Sequence, residues 1–182
     1  MITVKIIDQE HKDDINIPNQ PFNLFGLMQP SYDKEKWDYT IIRFCQENIT
    51  EMCFPDEDYD YGKMTQNSIF VGAYDGDRCV GLAVLQHHFL KYMYLYDLKV
   101  NADYRGKSVG KMLIEESKEI AREHGYRGIY TQGQDNNLGA CLFYLKNGFV
   151  IGGLDTHAYK GTSQENKKDI LFYCDIAEGN IK

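Results

Sequence analysis

A chain of 182 residues with 43% hydrophobic side chains is long enough to bury one core and suits one domain, residues 1–182. Its net charge of −7 argues against a nucleic-acid surface, and no apolar run approaches the roughly 18 residues needed to cross a bilayer. Five cysteines (Cys45, Cys53, Cys79, Cys141, Cys174) without a C-x-x-C pair, and an N-terminus without the basic-then-apolar run of a signal peptide, predict reduced thiols and a cytoplasmic location.

Along the chain, Ile2 to Ile7 reads as a first strand. Phe22 to Gln29 with Lys36 to Phe44 reads either as a hairpin or as a strand and helix around Trp37. The acidic run Asp56-Glu57-Asp58-Tyr59-Asp60-Tyr61 follows. It is either a solvated loop or a trap for a polycation such as a polyamine or basic antibiotic. Strands at Ile69 to Tyr74 and Arg78 to Gln86 flank Asp75-Gly76-Asp77, a strong hairpin signal. Tyr92 to Val100 is the next strand, interrupted by the carboxylate of Asp97. A helix then carries Val109, Met112, Leu113, Ser117, Ile120 and Ala121 on one face and ends near Gly125. Gly128 to Thr131 forms a short strand, giving a right-handed crossover. Leu138, Cys141, Leu142 and Leu145 mark a further helix stopped at Gly148, with strands at Phe149 to Gly152 and Ile170 to Asp175 behind it. The order predicts an α/β (α+β) fold, a mixed and mostly antiparallel sheet flanked by helices.

The turn from Asp97 to Gly110 carries the most chemistry. A helix start offers unpaired N–H groups and a partial positive charge to an anion, and Arg105, Lys107 and Lys111 add cations. It is not a P-loop, because Asn101 stands where Gly106-Lys107-Ser108 would need a glycine. Nor is it a dinucleotide fingerprint, since Gly106 and Gly110 have the wrong spacing. Some thirty residues on, Asn137, Ala140 and Tyr144 are spaced to share a second helix face, set apart from the core stripe, because seven helical residues return to within about 20° of the start; the alternative is that Tyr144 is core packing. His87 and His88 alternate to opposite sides of a strand, so no metal site is expected from them.

Arg105-x-x-Ser108-x-Gly110 resembles the acyl-CoA pyrophosphate loop of the GCN5-related N-acetyltransferase superfamily, with Ser108 where glycine is usual. Asn137-x-x-Ala140-x-x-Phe143-Tyr144, followed by Gly148-Phe149, resembles that superfamily's second hallmark. Within it, Pro21 to Gly26, Pro30-Ser31-Tyr32, Trp37 to Thr40, Asp135 to Tyr144 and Gly148 to Thr156 are similar to the streptothricin acetyltransferases, although Gln132-Gly133 stands where those tend to have Glu-Thr. The resemblance implies an acyl-CoA N-acyltransferase fold and transfer of an acetyl group from acetyl-CoA, without a metal, to the β-lysine part of streptothricin, conferring resistance. It also implies cofactor contacts at Arg105, Gly106, Lys107, Ser108, Val109, Gly110, Lys111, Asn137, Ala140 and Tyr144. The Leu98-Lys99-Val100 edge would hold the pantetheine arm through the backbone groups of Leu98 and Val100, and a backbone N–H there would meet the developing oxyanion. Trp37, Tyr39, Asp56, Glu57, Asp58 and Asp60 become candidates for the antibiotic pocket.

For the chemistry, Tyr144 is the expected acid toward the departing sulfur, its ordinary pKa of about 10 keeping it protonated at neutral pH. Asp97 either receives the amine's proton or serves only to fix a loop or neutralise Lys99. Two rivals stay open: an acetyltransferase for a polyamine or protein amine, and a non-catalytic acyl-CoA-binding regulator. Many relatives pair as dimers through sheet edges or the C-terminal strand, so a homodimer is one expected assembly.

Overall fold

The computed structural model describes residues 1–176. In chain order its elements are β1 (Ile2–Ile6), β2 (Phe22–Leu24), β3 (Gly26–Asp33), β4 (Lys36–Arg43), β5 (Thr50–Met52), α1 (Tyr61–Met64), β6 (Ser68–Asp75), β7 (Arg78–Gln86), β8 (Tyr92–Val100), α2 (Val109–Glu123), β9 (Gly128–Gln134), α3 (Leu138–Lys146), β10 (Val150–Asp155) and β11 (Asp169–Asp175). Short 3-10 turns lie at Gln9–Asn16, Gln46–Asn48 and Ala102–Tyr104. The described residues form two compact units, one of Met1–Pro21, Cys53–Ile129 and residues 175–176, the other of Phe22–Met52 and Tyr130–Cys174.

In the first unit, β1, β6, β7 and β8 are neighbours in that order, each antiparallel to the next. The expected turn at Asp75-Gly76-Asp77 joins β6 to β7, with Gly76 at φ +60, where a side chain would be strained. Both strands are almost continuously apolar because both faces are covered. On one face α2 packs so closely that a Cβ on Gly81 would lie 3.1 Å from Leu113 and 3.2 Å from Val109. On the other, Leu82 and Val84 join Phe70, Ile7 and Ile15, with Tyr59, Tyr61 and Met64 packed against them. Each large apolar side chain buried this way contributes about 1.5–3 kcal/mol.

Helix α2 buries Val109, Leu113, Ile114, Ser117, Ile120 and Ala121, a spacing of three and four that suits the 3.6-residue turn; Met112, expected on this face, is only half-buried. The helix closes with Tyr126 N–H donating to the Ala121 carbonyl (2.9 Å) and Gly125 at φ +75, which satisfies carbonyls the helix leaves over.

Strand β8 contains an irregularity that positions the site. Val84 pairs with Asp97 but Leu85 pairs with Leu95, so Tyr96 is an extra residue, a β-bulge. Beyond it Asp97 and Lys99 stand opposite Val84 and Leu82 and therefore share their face of the sheet.

In the second unit, β3 and β4 form a regular hairpin from Gly26↔Arg43 to Asp33↔Lys36, which resolves the alternative around Trp37 in favour of the hairpin. Its two-residue turn is Lys34-Glu35, both at positive φ (47 and 63). β2 pairs with β5, β10 pairs with β11, and α3 packs on β2 and β3. Met28, Leu138, Cys141, Tyr144, Phe149, Ile151, Ile170 and Phe172 are buried here.

Gly26 admits no side chain, since a Cβ would sit 2.4 Å from the Ile42 carbonyl oxygen and 2.7 Å from Leu138. Gly26→Ala is therefore expected to destabilise the fold by about 1–3 kcal/mol. At roughly 2–4 °C per kcal/mol for a domain of this size, thermal melting should show a fall of several degrees in Tm, and an unchanged Tm would mean that the hairpin yields freely.

Candidate active site

The cradle predicted at the start of α2 is a loop with two left-handed residues. After β8 the chain makes one 3-10 turn, in which Asn101 Oδ1 accepts from Asp103 N–H (3.2 Å), and then passes through Gly106 (φ 76) and Ser108 (φ 65) into Val109. Glycine takes that conformation freely, whereas a side chain such as that of Ser108 costs roughly 1–2 kcal/mol there. Arg105 to Ser108 are exposed.

Arg105 is used differently from the expectation of a phosphate-facing cation. Its Nε donates to the Val100 carbonyl (3.2 Å), Nη1 to Pro21 (2.6 Å) and Nη2 to Gln20 (3.1 Å). Ala102 N–H donates to the Gln20 side chain as well. The guanidinium thus ties the turn to the end of β8 and to residues 20–21. What remains to face an anion is the first turn of α2, including Val109 and Gly110, with Lys111 exposed on the helix and Lys107 lying 5.4 Å over the Tyr104 ring. An exposed loop of N–H groups with two lysines fits the diphosphate of a coenzyme.

Below the end of β8 lies a half-buried charge cluster. Lys99 Nζ pairs with Glu57 and, at 3.1 Å, with Asp97, and its side chain is only 10% exposed. Tyr59 donates its hydroxyl to Asp97 (3.2 Å) and presents its ring 5.6 Å from the same ammonium. Asn19 Nδ2 donates to Glu57 (3.0 Å) and to the Pro55 carbonyl (2.8 Å). Burial raises the Asp97 carboxyl above the ordinary carboxylate range, against the pull of Lys99 and with Glu57 raising it further. Burial also pushes Glu57 up, but the hydrogen bonds from Lys99 and Asn19 outweigh it and hold Glu57 below its usual range. Burial, then the charges of Asp97 and Glu57, drive the Tyr59 phenol far upward, so it remains a donor.

Lys99 was expected to contribute at the cofactor edge, but its side chain turns instead into this cluster, while the backbone of Leu98, Lys99 and Val100 runs beside Ala83, Leu82 and Gly81. The Lys99–Asp97 pair is the alternative the sequence offered for Asp97; Tyr59, Asn19 and the pairing of Lys99 with Glu57 were not anticipated. Alternation along β8 does place Asp97 and Lys99 on one face, a signal available in the sequence.

The rest of the acidic run is also in use. Asp56 accepts from Asn19 N–H (2.5 Å), and Asp60 caps α1 by accepting from Lys63 N–H (3.1 Å) and pairs with the Lys63 ammonium (3.0 Å). Of the four carboxylates, Asp58 is exposed and makes no such bond among the described residues.

In the second unit, Asn137 is the N-cap of α3, its Oδ1 accepting from Ala140 N–H (3.2 Å). Ala140 is partly exposed. Tyr144 does not lie apart from the core stripe as its spacing suggested. It is 8% exposed, falls in line with buried Leu138 and Cys141, and packs against Phe143, Phe149 and Phe172 at ring distances of 5.6, 5.3 and 5.4 Å. Trp37 and Tyr39 lie on β4; Trp37 packs 4.9 Å from the Tyr32 ring, and Tyr39 is 40% exposed. Among the described residues, no group of three or more His, Cys, Asp or Glu is placed to hold a metal, and no helix is long and apolar enough to cross a membrane.

Residues 34–149 match the model of the acetyltransferase (GNAT) family. Streptothricin acetyltransferase A of Bacillus subtilis is 33% identical over 160 residues, 88% of this chain and 92% of that protein. A streptothricin acetyltransferase of Escherichia coli is 30% identical over 118 residues, 65% of each chain. A Bacillus anthracis protein regarded as a streptothricin acetyltransferase, solved in complex with acetyl coenzyme A, superposes with a TM-score of 0.84 at 28% identity, over 97% of this chain and 99% of that one.

Proposed function

We propose, from the premise that this chain belongs to the acetyltransferase (GNAT) family, that it acetylates a primary amine of streptothricin, on the β-lysine moiety, at the expense of acetyl-CoA. The observation that carries the substrate is the 33% identity to the Bacillus subtilis enzyme along nearly the whole of both chains. The setting is the cytoplasm, in keeping with five cysteines that form no disulfide among the described residues. Residues 1–182 act as one catalytic domain, a reading supported by the way each compact unit draws on separate stretches of the chain.

Acetyl-CoA, when bound, supplies the activated acetyl group and a thiolate that departs. The N–H groups at the start of α2, with Lys107 and Lys111, hold its diphosphate; the Leu98 to Val100 backbone aligns the arm that follows, and Asn137 and Ala140 are further coenzyme contacts. Asp97 accepts the amine's proton at a carboxylate oxygen, and the Tyr144 hydroxyl gives one to the departing sulfur. Asp58, with Trp37 and Tyr39, meets the distal charges and rings of the antibiotic.

The test is release of free thiol from acetyl-CoA by the purified chain. Thiol should appear with streptothricin and not without an acceptor. Release with spermidine or a peptide but not streptothricin would replace the substrate, and tight CoA binding without thiol release would make the chain a regulator.

Arg105→Ala removes three bonds that shape the cradle. A hydrogen bond to a charged group is worth about 1.5–3 kcal/mol, so losing the net benefit of one should raise KM for acetyl-CoA about tenfold or more. An unchanged KM would show that the turn keeps its form without the guanidinium.

A further inference from the structure

The cluster below β8 is out of electrical balance. Two carboxylates, Asp97 and Glu57, share the single ammonium of Lys99. Among the described residues, the other titratable groups around Asp97 are the phenols of Tyr59 and, on its own strand, Tyr96, whose ring lies 6.3 Å from that of Tyr59. From β7 the residue opposite is apolar Val84. With the phenols neutral, the site carries one net negative charge in a place where burial makes such a charge costly.

We propose that Glu57 and Lys99 are positioning residues for the proton acceptor Asp97: Glu57, anchored by Asn19, shares the Lys99 ammonium, so that the surplus negative charge falls on Asp97 and is cancelled when the substrate's proton arrives there. The inference rests on the acetyl-transfer reading, in which Asp97 takes that proton. In the step itself the amine's N–H bond breaks, an O–H bond forms on Asp97, and the cluster passes from one negative charge to none. Glu57, held below its usual range by Lys99 and Asn19, keeps its charge throughout, while Asp97, raised by burial, is the better acceptor. The acidic residue nearest Lys99 therefore acts on the base rather than as a contact for the antibiotic.

The experiment is a carboxyl 13C NMR titration of the full chain, with Asp97→Asn identifying the Asp97 signal, run beside kcat against pH with streptothricin. Glu57→Gln removes a like charge and leaves Lys99 to Asp97, so the Asp97 midpoint and the acid limb of kcat should both move down by about one pH unit. Lys99→Met removes the opposite charge and should move both up by about the same amount. Glu57→Asp should restore the midpoint toward that of the unaltered chain. A purely structural role would lower activity in both variants without moving the midpoints in opposite directions, and that result would overturn the proposal. If Lys99→Met does not fold, Glu57→Gln decides alone, since the amide keeps the shape of the side chain. An acid limb that survives in Asp97→Asn would overturn Asp97 as the acceptor even where the NMR midpoints shift as expected, which separates failure of the reading from failure of the charge sharing.

Discussion

Tyr144→Phe should lower kcat for acetyl transfer by about 10²–10³-fold while changing the affinity for acetyl-CoA far less. The substitution deletes one oxygen from a ring that is 8% exposed and enclosed by Phe143, Phe149 and Phe172. Those ring contacts survive in phenylalanine, so the local packing and the course of α3 should be preserved. Gly133, whose Cβ would come within 3.7 Å of the Tyr144 ring, leaves the space the ring occupies. A loss in kcat alone is then a loss of the proton donor. Steady-state kinetics with streptothricin decide the matter, because equal losses in turnover and acetyl-CoA affinity would make Tyr144 a binding residue.

The second large effect is expected from Asp97→Asn, a fall in kcat of about 10²–10⁴-fold. Asparagine can still accept the Tyr59 hydroxyl, and Lys99 keeps Glu57, so the cluster retains partners while losing the group that takes a proton. The sign of the pH dependence follows from the burial that raises Asp97. The accepting form exists above the pKa, so activity should fall as pH drops through a value higher than the ~3.9 of a free aspartate. In Asp97→Asn that limb should disappear. Near-normal kcat would instead leave the carboxylate with the structural task also open from sequence, that of neutralising Lys99.

The segments most readable from sequence are those whose burial repeats with the period of the element. β8 and α2 show that repeat, while β7 is legible instead as an unbroken apolar run opened by the Asp-Gly-Asp turn. The N-terminal third is different. Gln9–Asn16 is a kinked 3-10 stretch with one buried residue, Ile15, so no apolar repeat marks it. The β3–β4 turn is Lys34-Glu35, without the glycine or asparagine that usually announces a tight hairpin, which is why a helix around Trp37 remained a rival.

The site was legible in outline and less so in detail. In α3, Leu138, Cys141 and Tyr144 are the buried residues, yet the helix is apolar around most of its circumference, so spacing alone assigned Tyr144 to the wrong side. Arg105 shows a different limit. Its acceptors at Gln20 and Pro21 lie 85 and 84 residues away, and main-chain carbonyls leave no trace in residue identity.

That clamp makes the opening segment a buttress for the loop at which, on the proposed reading, the coenzyme docks. Shortening the protein to start after Pro21 would remove two of the three carbonyls that hold Arg105, and with Asn19 the ties to Asp56 and Glu57. Such a truncation would loosen the loop and the surroundings of Asp97 at once, although it touches neither Lys107 and Lys111 nor Asp97, the groups proposed to carry binding and proton transfer.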